Sequence, residues 1–177
     1  MTKLNGTLKF IATCLGTCAL AATAAAAEAT SYEMGAYTNA PGGGEIAKGD
    51  YAAAIAAAQH VPMPDSEAHL IAATNLCVAY TVTGALDKAA SACDRALSLA
   101  KIAESSIRSI ATSREATIRA LTNRGVLRAV SGDSIGAAAD FRAAARMSRS
   151  WPAPSRNLAY LESLPADRVA RADPAKD

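Results

Sequence analysis

The sequence predicts an all-α protein built from antiparallel helical hairpins. Apolar residues recur three and four positions apart in two runs, over Ala73, Leu76, Cys77 and Tyr80 and then over Leu86, Ala89, Cys93 and Ala96. This spacing is typical of amphipathic helices, and Gly84 between the runs indicates a tight turn. No alternating run of β-branched residues, which would indicate a strand, occurs after residue 27.

The first 27 residues have the pattern of a secretory signal peptide. Lys3 and Lys9 precede an apolar run from 10 to 20, and small residues follow up to Ala27. The run is too short for a membrane span, so we expect cleavage after Ala27 and export to the periplasm or beyond the cell. The alternative is a lipoprotein signal that anchors the chain to the envelope through Cys18.

Charge argues against nucleic acid and anionic membrane surfaces as main partners. The whole chain carries 18 basic and 16 acidic residues, a net charge of +2. Loss of Lys3 and Lys9 with the signal leaves 16 basic residues against the same 16 acidic ones. A balanced chain offers no electrostatic footprint for polyanions.

The rest of the chain divides into three predicted parts. Residues 28–44 contain Pro41 and a run of three glycines, which predicts a flexible leader. Residues 45–164 form the predicted helical domain, which opens with a turn at Gly49-Asp50 followed by a helix, and no helix is predicted before that turn because Pro41 and the glycines stand there. Residues 165–177 are charged and rich in Ala and Pro, which favours a disordered tail.

A second hairpin is predicted over residues 121–147, with its turn at Gly132-Asp133. Trp151-Pro152 ends that hairpin, and residues 155–164 predict a short terminal helix. Between the two hairpins, residues 102–117 form an insertion with apolar residues at helical spacing. The chain therefore repeats one supersecondary unit and ends in a cap.

These residues resemble the tetratricopeptide repeat family. In the central hairpin the resemblance rests on Asn75-Leu76, Cys77, Tyr80, Gly84, Leu86, Ala89, Ala96 and Lys101, and in the later one on Leu121, Gly125, Gly132-Asp133, Ala137, Phe141 and Ala144. It implies a short right-handed solenoid of about two and a half repeats with a C-terminal capping helix. Arg124 and Arg128 depart from the family pattern, so we expect them beside solvent or paired with acidic groups.

Cys77 and Cys93 lie almost symmetrically about the turn at Gly84, so they should face each other across the hairpin. Gly125 and Phe141 hold the same offsets in the later hairpin, where a missing side chain makes room for a ring. Oxidation is expected in an exported chain, and we favour a Cys77–Cys93 disulfide over two buried thiols.

No pattern predicts catalysis, a cofactor or a metal ion. His60 and His69 lie near Asp65 and Glu67, but their spacing matches no standard zinc site. The three glycines at 42–44 are not followed by the Lys-Ser/Thr of a phosphate loop, and no nucleophile elbow or HExxH motif occurs. We therefore expect a non-catalytic protein.

By matching positions, the resemblance places a peptide-binding concave face on Ile71, Thr74, Val78, Thr81, Val82, Arg119, Thr122, Val126 and Val130. This surface is mostly apolar and favours an apolar or extended protein segment. Two readings stay open: the face binds a partner, or it is covered by the leader, the insertion or a second copy. A short groove predicts brief ligands, bound weakly or with the help of homodimerisation. The expected function is a periplasmic interaction module, and the alternative is a structural or assembly component of the envelope anchored through Cys18.

Overall fold

The computed structural model describes residues 7–8, 32–61, 66–105, 110–148 and 150–165. Its two short strands, β1 (Thr7–Leu8) and β2 (Met34–Gly35), pair antiparallel. The helices are α1 (Gly43–Lys48), α2 (Tyr51–Gln59), α3 (Ser66–Val82), α4 (Leu86–Ser105), α5 (Ile110–Val130), α6 (Ser134–Met147) and α7 (Ala153–Ser163). The predicted all-α class is confirmed.

Glycine and aspartate set the turns between consecutive helices. Gly49, Gly84 and Gly132 end α1, α3 and α5 with φ angles of 80°, 73° and 93°, which side chains rarely adopt. At the start of α2, Asp50 accepts a hydrogen bond from the Ala53 amide at 3.0 Å. At the start of α6, Asp133 accepts one from the Gly136 amide at 2.8 Å. These caps satisfy amides that a helix start leaves unpaired.

Consecutive helices from α2 to α7 pack against each other, and α5 also contacts α3 and α7. These three helices therefore form one layer, which we call the inner face. β2 contacts α3 and α5, so the strand crosses this layer. Across the described ranges, no helix is both long and apolar enough to span a membrane.

The two hairpins close their cores in different ways. In the central hairpin, Cys77 on α3 and Cys93 on α4 form a disulfide with a Cα–Cα distance of 4.8 Å. The predicted disulfide is thus confirmed. In the α5–α6 hairpin a Cβ on Gly125 would lie 2.5 Å from Cε1 of Phe141, whose side chain is fully buried. Gly125 therefore gives the ring its space, as the matching offsets predicted.

Charge also ties α5 to α6. Arg124 and Arg128 on α5 each pair with Asp140 on α6 at 2.8 Å. The Asp140 side chain is only 6% exposed, so two guanidinium groups offset the cost of burying its carboxylate. The hydrogen bond from Arg124 to Asp140 raises the pKa of Arg124. We expected Arg124 and Arg128 to lie beside solvent or to pair with acidic groups, and the structure contains the ion pairs.

The segment predicted as a flexible leader differs from that expectation. Tyr32, Met34 and Ala36 are buried, and α1 begins inside the glycine run, where the sequence predicted no first helix. Glycine makes this packing feasible, because a Cβ on Gly43 would lie 1.8 Å from the carbonyl oxygen of Tyr37. Polar side chains of the inner face supply the hydrogen bonds that the extended backbone needs.

The predicted signal peptide and tail lie almost wholly outside the described residues. From positions 1–27 the structure describes Thr7–Leu8, which pair with Met34–Gly35. Cys18 falls outside the described residues, as does the chain beyond residue 165. Export, cleavage and lipidation at Cys18 therefore stay predictions.

Replacing Gly125 by Leu should destabilise the fold by about 1–3 kcal/mol, because the new side chain overlaps the Phe141 ring. Denaturant unfolding followed by circular dichroism measures the change. The double variant Gly125→Leu, Phe141→Ala is the control: its destabilisation should be smaller than the sum of the single effects. Additive effects would mean that the two positions do not share one space.

Reduction of the Cys77–Cys93 bond should lower the free energy of unfolding by about 3 kcal/mol, the usual value for a loop with this sequence separation of 16. Helix content at low temperature should change little, since the flanking packing remains. Thermal unfolding with and without reductant measures the effect. If a Cys77→Ala, Cys93→Ala variant has the same melting temperature as the oxidised protein, the stabilising effect of the disulfide is refuted.

Candidate functional site

An extended stretch of the chain covers the inner face. We call residues 32–37 the docked segment. Tyr32, Met34 and Ala36 are 2%, 3% and 5% exposed, whereas Glu33 and Tyr37 are partly exposed. Gly35 is also buried but has no side chain, so the buried side chains occupy every second position. Such alternation is typical of a strand lying on an apolar surface. The segment occupies the inner face as a bound peptide would.

Asparagine side chains of the inner face bind the backbone of the docked segment. Asn157 on α7 accepts a hydrogen bond from the Glu33 amide through Oδ1 and donates to the Glu33 carbonyl through Nδ2, both at 2.8 Å. Asn123 on α5 makes the same two bonds with Gly35, also at 2.8 Å. A carboxamide satisfies both backbone groups of one residue because it carries an acceptor and a donor side by side.

The third asparagine lies on α3. Asn75 accepts from the Tyr37 amide at 2.8 Å and donates to the carbonyls of Tyr37, at 3.2 Å, and Pro41, at 3.0 Å. We call Asn75, Asn123 and Asn157 the asparagine ladder. Its members lie on three neighbouring helices and bind alternate residues of one strand, and each asparagine is at most 1% exposed.

The aromatic residue at the start of the docked segment enters the main core. The Tyr32 ring lies 6.0 Å from the Phe141 ring and 4.8 Å from the Tyr160 ring, measured between centroids. The Tyr160 contact is edge-on, a geometry that aromatic pairs prefer. Tyr32 therefore joins α6 and α7 on either side of the segment.

Arg119 on α5 adds a charged contact between two rungs of the ladder. Its side chain donates to the Ala36 carbonyl at 3.2 Å and pairs with Glu115 at 2.9 Å. Its guanidinium carbon lies 4.7 Å from the Tyr37 ring and 5.5 Å from the Trp151 ring. Nε of Arg119 is buried and has no hydrogen-bond partner within the described chain. Burial raises the pKa of Tyr37, and Arg119 partly opposes that rise, so the phenol is neutral at neutral pH.

Gly35 sets a steric requirement on the docked segment. A Cβ at this position would lie 2.8 Å from Nη1 of Arg119 and 2.9 Å from Cη2 of Trp151. Both distances are below any normal contact, so a side chain would displace the buried Arg119 or the partly buried Trp151. The inner face therefore reads most of the segment through its backbone, but at position 35 it requires glycine.

The residues predicted for the concave face lie on α3 and α5, the two helices that contact β2 of the docked segment. Six are buried: Thr74, Val78, Thr81, Arg119, Thr122 and Val126. Ile71, Val82 and Val130 are partly exposed. The three threonine hydroxyls donate to carbonyls of their own helices, and the valines pack in the core that contains Tyr32 and Met34. Arg119 has a direct hydrogen bond to the segment.

Sequence reasoning missed the residues that bind the segment's backbone. Asn75 was named only as part of the family resemblance, and Asn123 and Asn157 were not singled out. The available signal was an amide side chain on an otherwise apolar helical face, which needs a buried partner. Gly35 and Trp151 gave no signal of a specific contact, because their proximity depends on how the chain folds back.

The two histidines lie apart from the ladder. His60 follows α2, with Nδ1 2.7 Å from the Ala56 carbonyl oxygen. His69 lines a surface concavity of about 510 Å³ between α2, α3 and α4, whose rim also carries Lys88 and Arg95. Within the described ranges, no three His, Cys, Asp or Glu side chains gather as metal ligands would.

Asn123→Ala should release the centre of the docked segment. It leaves the amide and carbonyl of Gly35 without partners, at a cost of about 1–3 kcal/mol for each group that stays buried. Hydrogen exchange should show faster exchange of the Gly35 amide, together with a lower melting temperature. The matched control is Asn39→Ala, because Asn39 is exposed. Unchanged exchange at Gly35 in the Asn123 variant would contradict the assignment.

Known proteins add no second line of evidence. No family model, curated protein or solved structure gives a match to this chain. The resemblance to tetratricopeptide repeats therefore rests on the residues quoted from the sequence. Function has to be argued from the geometry of the inner face.

Proposed function

We propose that this chain is an exported, non-catalytic interaction module of tetratricopeptide type, which binds an extended protein segment on its inner face. In this proposal the hairpins stack as a short right-handed solenoid, and the chain acts in the periplasm or outside the cell. The tight glycine turns, the packed consecutive helices and the disulfide all fit such a module. The observation that carries the proposal is the asparagine ladder.

The ladder is a device for binding extended backbone. Each asparagine pairs with the amide and carbonyl of one residue, and the paired residues are Glu33, Gly35 and Tyr37. Backbone pairing supplies affinity in most modes of peptide recognition by strands, while pockets for alternate side chains supply specificity. Three buried carboxamides aligned in this way would lack partners if no extended backbone lay on this surface.

The chemistry of the inner face defines the kind of peptide it takes. Buried positions at 32, 34 and 36 favour an aromatic, a flexible apolar and a small residue, and position 35 favours glycine. Arg119 is already paired with Glu115, so an acidic ligand gains little from it. The matching ligand is a short, mostly neutral segment in extended conformation.

In the structure this site is filled by the chain's own docked segment. A tethered occupant competes at an effective concentration of roughly millimolar, so a free peptide binds only when the tethered one is weakened or displaced. The proposal therefore has to be tested on a full chain whose own segment no longer fits. Gly35→Val gives such a chain, because its side chain collides with Arg119 and Trp151.

The test offers a fluorescent peptide with the sequence of residues 31–41 to the Gly35→Val chain and follows its anisotropy. The peptide should bind, and the same peptide with valine in place of its glycine should not. Adding Asn123→Ala to the protein should weaken binding roughly tenfold or more, since one bidentate contact is lost.

Gly44→Val is the matched control, because a Cβ at Gly44 has no neighbour nearer than 3.9 Å. That chain keeps its own segment docked, so the peptide should bind it far more weakly. If Gly35→Val unfolds the protein, Gly35→Ala takes its place in the same assay. Failure of the peptide to bind a folded chain with a released segment would refute the proposed function.

A further inference from the structure

We propose that the docked segment is exchanged between two copies of this chain, so that residues 32–37 of each copy lie on the inner face of the other. This inference rests on the proposed function, because it names the partner of the same site. The segment makes the same contacts in the exchanged dimer as in the closed monomer. The turn that follows it changes.

Complementarity favours a second copy as the partner. The backbone of the docked segment pairs with the asparagine ladder, its buried residues fit apolar space, and Gly35 fits between Arg119 and Trp151. A second copy carries a segment that meets all of these requirements at once. A foreign peptide has to match the steric demand at Gly35 and the burial of Tyr32 and Met34 independently.

The turn after the segment is tight enough to act as a hinge. Residues 38–42 connect the docked segment to α1, and the Gly43 amide donates to the Ala40 carbonyl at 2.9 Å. Gly42 has a φ of 81°, and a Cβ on Gly43 would lie 1.8 Å from the Tyr37 carbonyl oxygen and 2.6 Å from its carbon. The closed form thus depends on two glycines. Tight hinges of this kind favour exchange, because opening them costs no contact of the exchanged element.

The reach of the hinge limits the geometry of the dimer. Five residues in extended conformation span about 16 Å, somewhat more than the width of one helix. The inner face of the second copy must therefore lie beside α1 of the first. Reciprocal exchange of this kind gives a two-fold dimer, in which both copies bury the same contacts.

The main test compares Gly43→Ala with Gly44→Ala in the full exported chain. Both changes add one methyl group to the start of α1, but a Cβ at Gly43 collides with the Tyr37 backbone, whereas one at Gly44 meets only the Thr38 carbonyl oxygen at 3.9 Å. Light scattering and native mass spectrometry should give twice the chain mass for Gly43→Ala at concentrations where Gly44→Ala is monomeric. Adding Gly35→Val should abolish the dimer. A folded, monomeric Gly43→Ala chain, or a dimer that survives Gly35→Val, would overturn the proposal.

A second test keeps the proposal falsifiable if Gly43→Ala does not fold. Glu33 of the docked segment pairs with Arg156 of α7 at 2.7 Å, with the Glu33 side chain 12% exposed. In a closed Glu33→Arg chain two positive charges meet at this contact, and in a closed Arg156→Glu chain two negative charges meet there. When the two variants exchange segments with each other, a positive and a negative charge meet at both contacts of the mixed dimer. With one chain isotope-labelled, native mass spectrometry should detect a mixed dimer enriched at least several-fold over either homodimer. Absence of mixed dimers after prolonged incubation would overturn the exchange.

The two proposals fail in different ways. In one case the peptide binds the Gly35→Val chain, but Gly43→Ala is monomeric and the two charge variants form no mixed dimer. That result would refute exchange and leave the proposed peptide site in place. Dimers of Gly43→Ala without any peptide binding would mean that another surface holds the copies together. That result would refute exchange as well as the proposed function.

Discussion

The structure depends on how an extended strand is satisfied on a helical surface. The backbone groups of Glu33, Gly35 and Tyr37 that bind the ladder are buried or partly buried, and helices have no free backbone groups along their sides to pair with them. The ladder's carboxamides solve this problem, because each supplies one donor and one acceptor. The helices α3, α5 and α7 therefore have to present their asparagines in register with alternate residues of the segment, and the hairpin packing serves that alignment.

Each hairpin fixes its inner helix by a different bond. In the central hairpin the Cys77–Cys93 disulfide joins α3 to α4, close in sequence to Asn75. In the next hairpin Phe141 packs against Gly125, and Asp140 binds two arginines of α5, the helix that carries Asn123. Covalent, steric and ionic contacts thus do the same work at equivalent places. These contacts hold α3 and α5 in place, and Phe141 also packs against the Tyr32 ring of the docked segment.

The helices, the turns at Gly84 and Gly132, the disulfide and the Gly125–Phe141 contact were predictable, since each follows from residues close in sequence. The site was less so. Val78, Val126 and Arg119 were placed on the predicted concave face by resemblance, but nothing local indicated that residues 32–37 would lie there. Pro41 and the three glycines suggested flexibility, whereas Gly43 in fact allows a close backbone approach. A contact between Glu33 and Asn157 joins residues 124 positions apart, and such pairing has no local pattern.

The asparagine ladder contacts only the backbone of the docked segment, so Gly35 is the position where the size of a side chain matters most. Arg119 and Trp151 lie so close to that position that a Cβ there would overlap both side chains. Arg119 itself is held by Glu115, Tyr37 and Trp151, and its Nε gains no bond in return for burial. Burying the Nε–H group of Arg119 without a hydrogen-bond partner costs free energy. Under the proposed function, Arg119 has this place between two rungs of the ladder because it restricts position 35 of a bound segment to glycine.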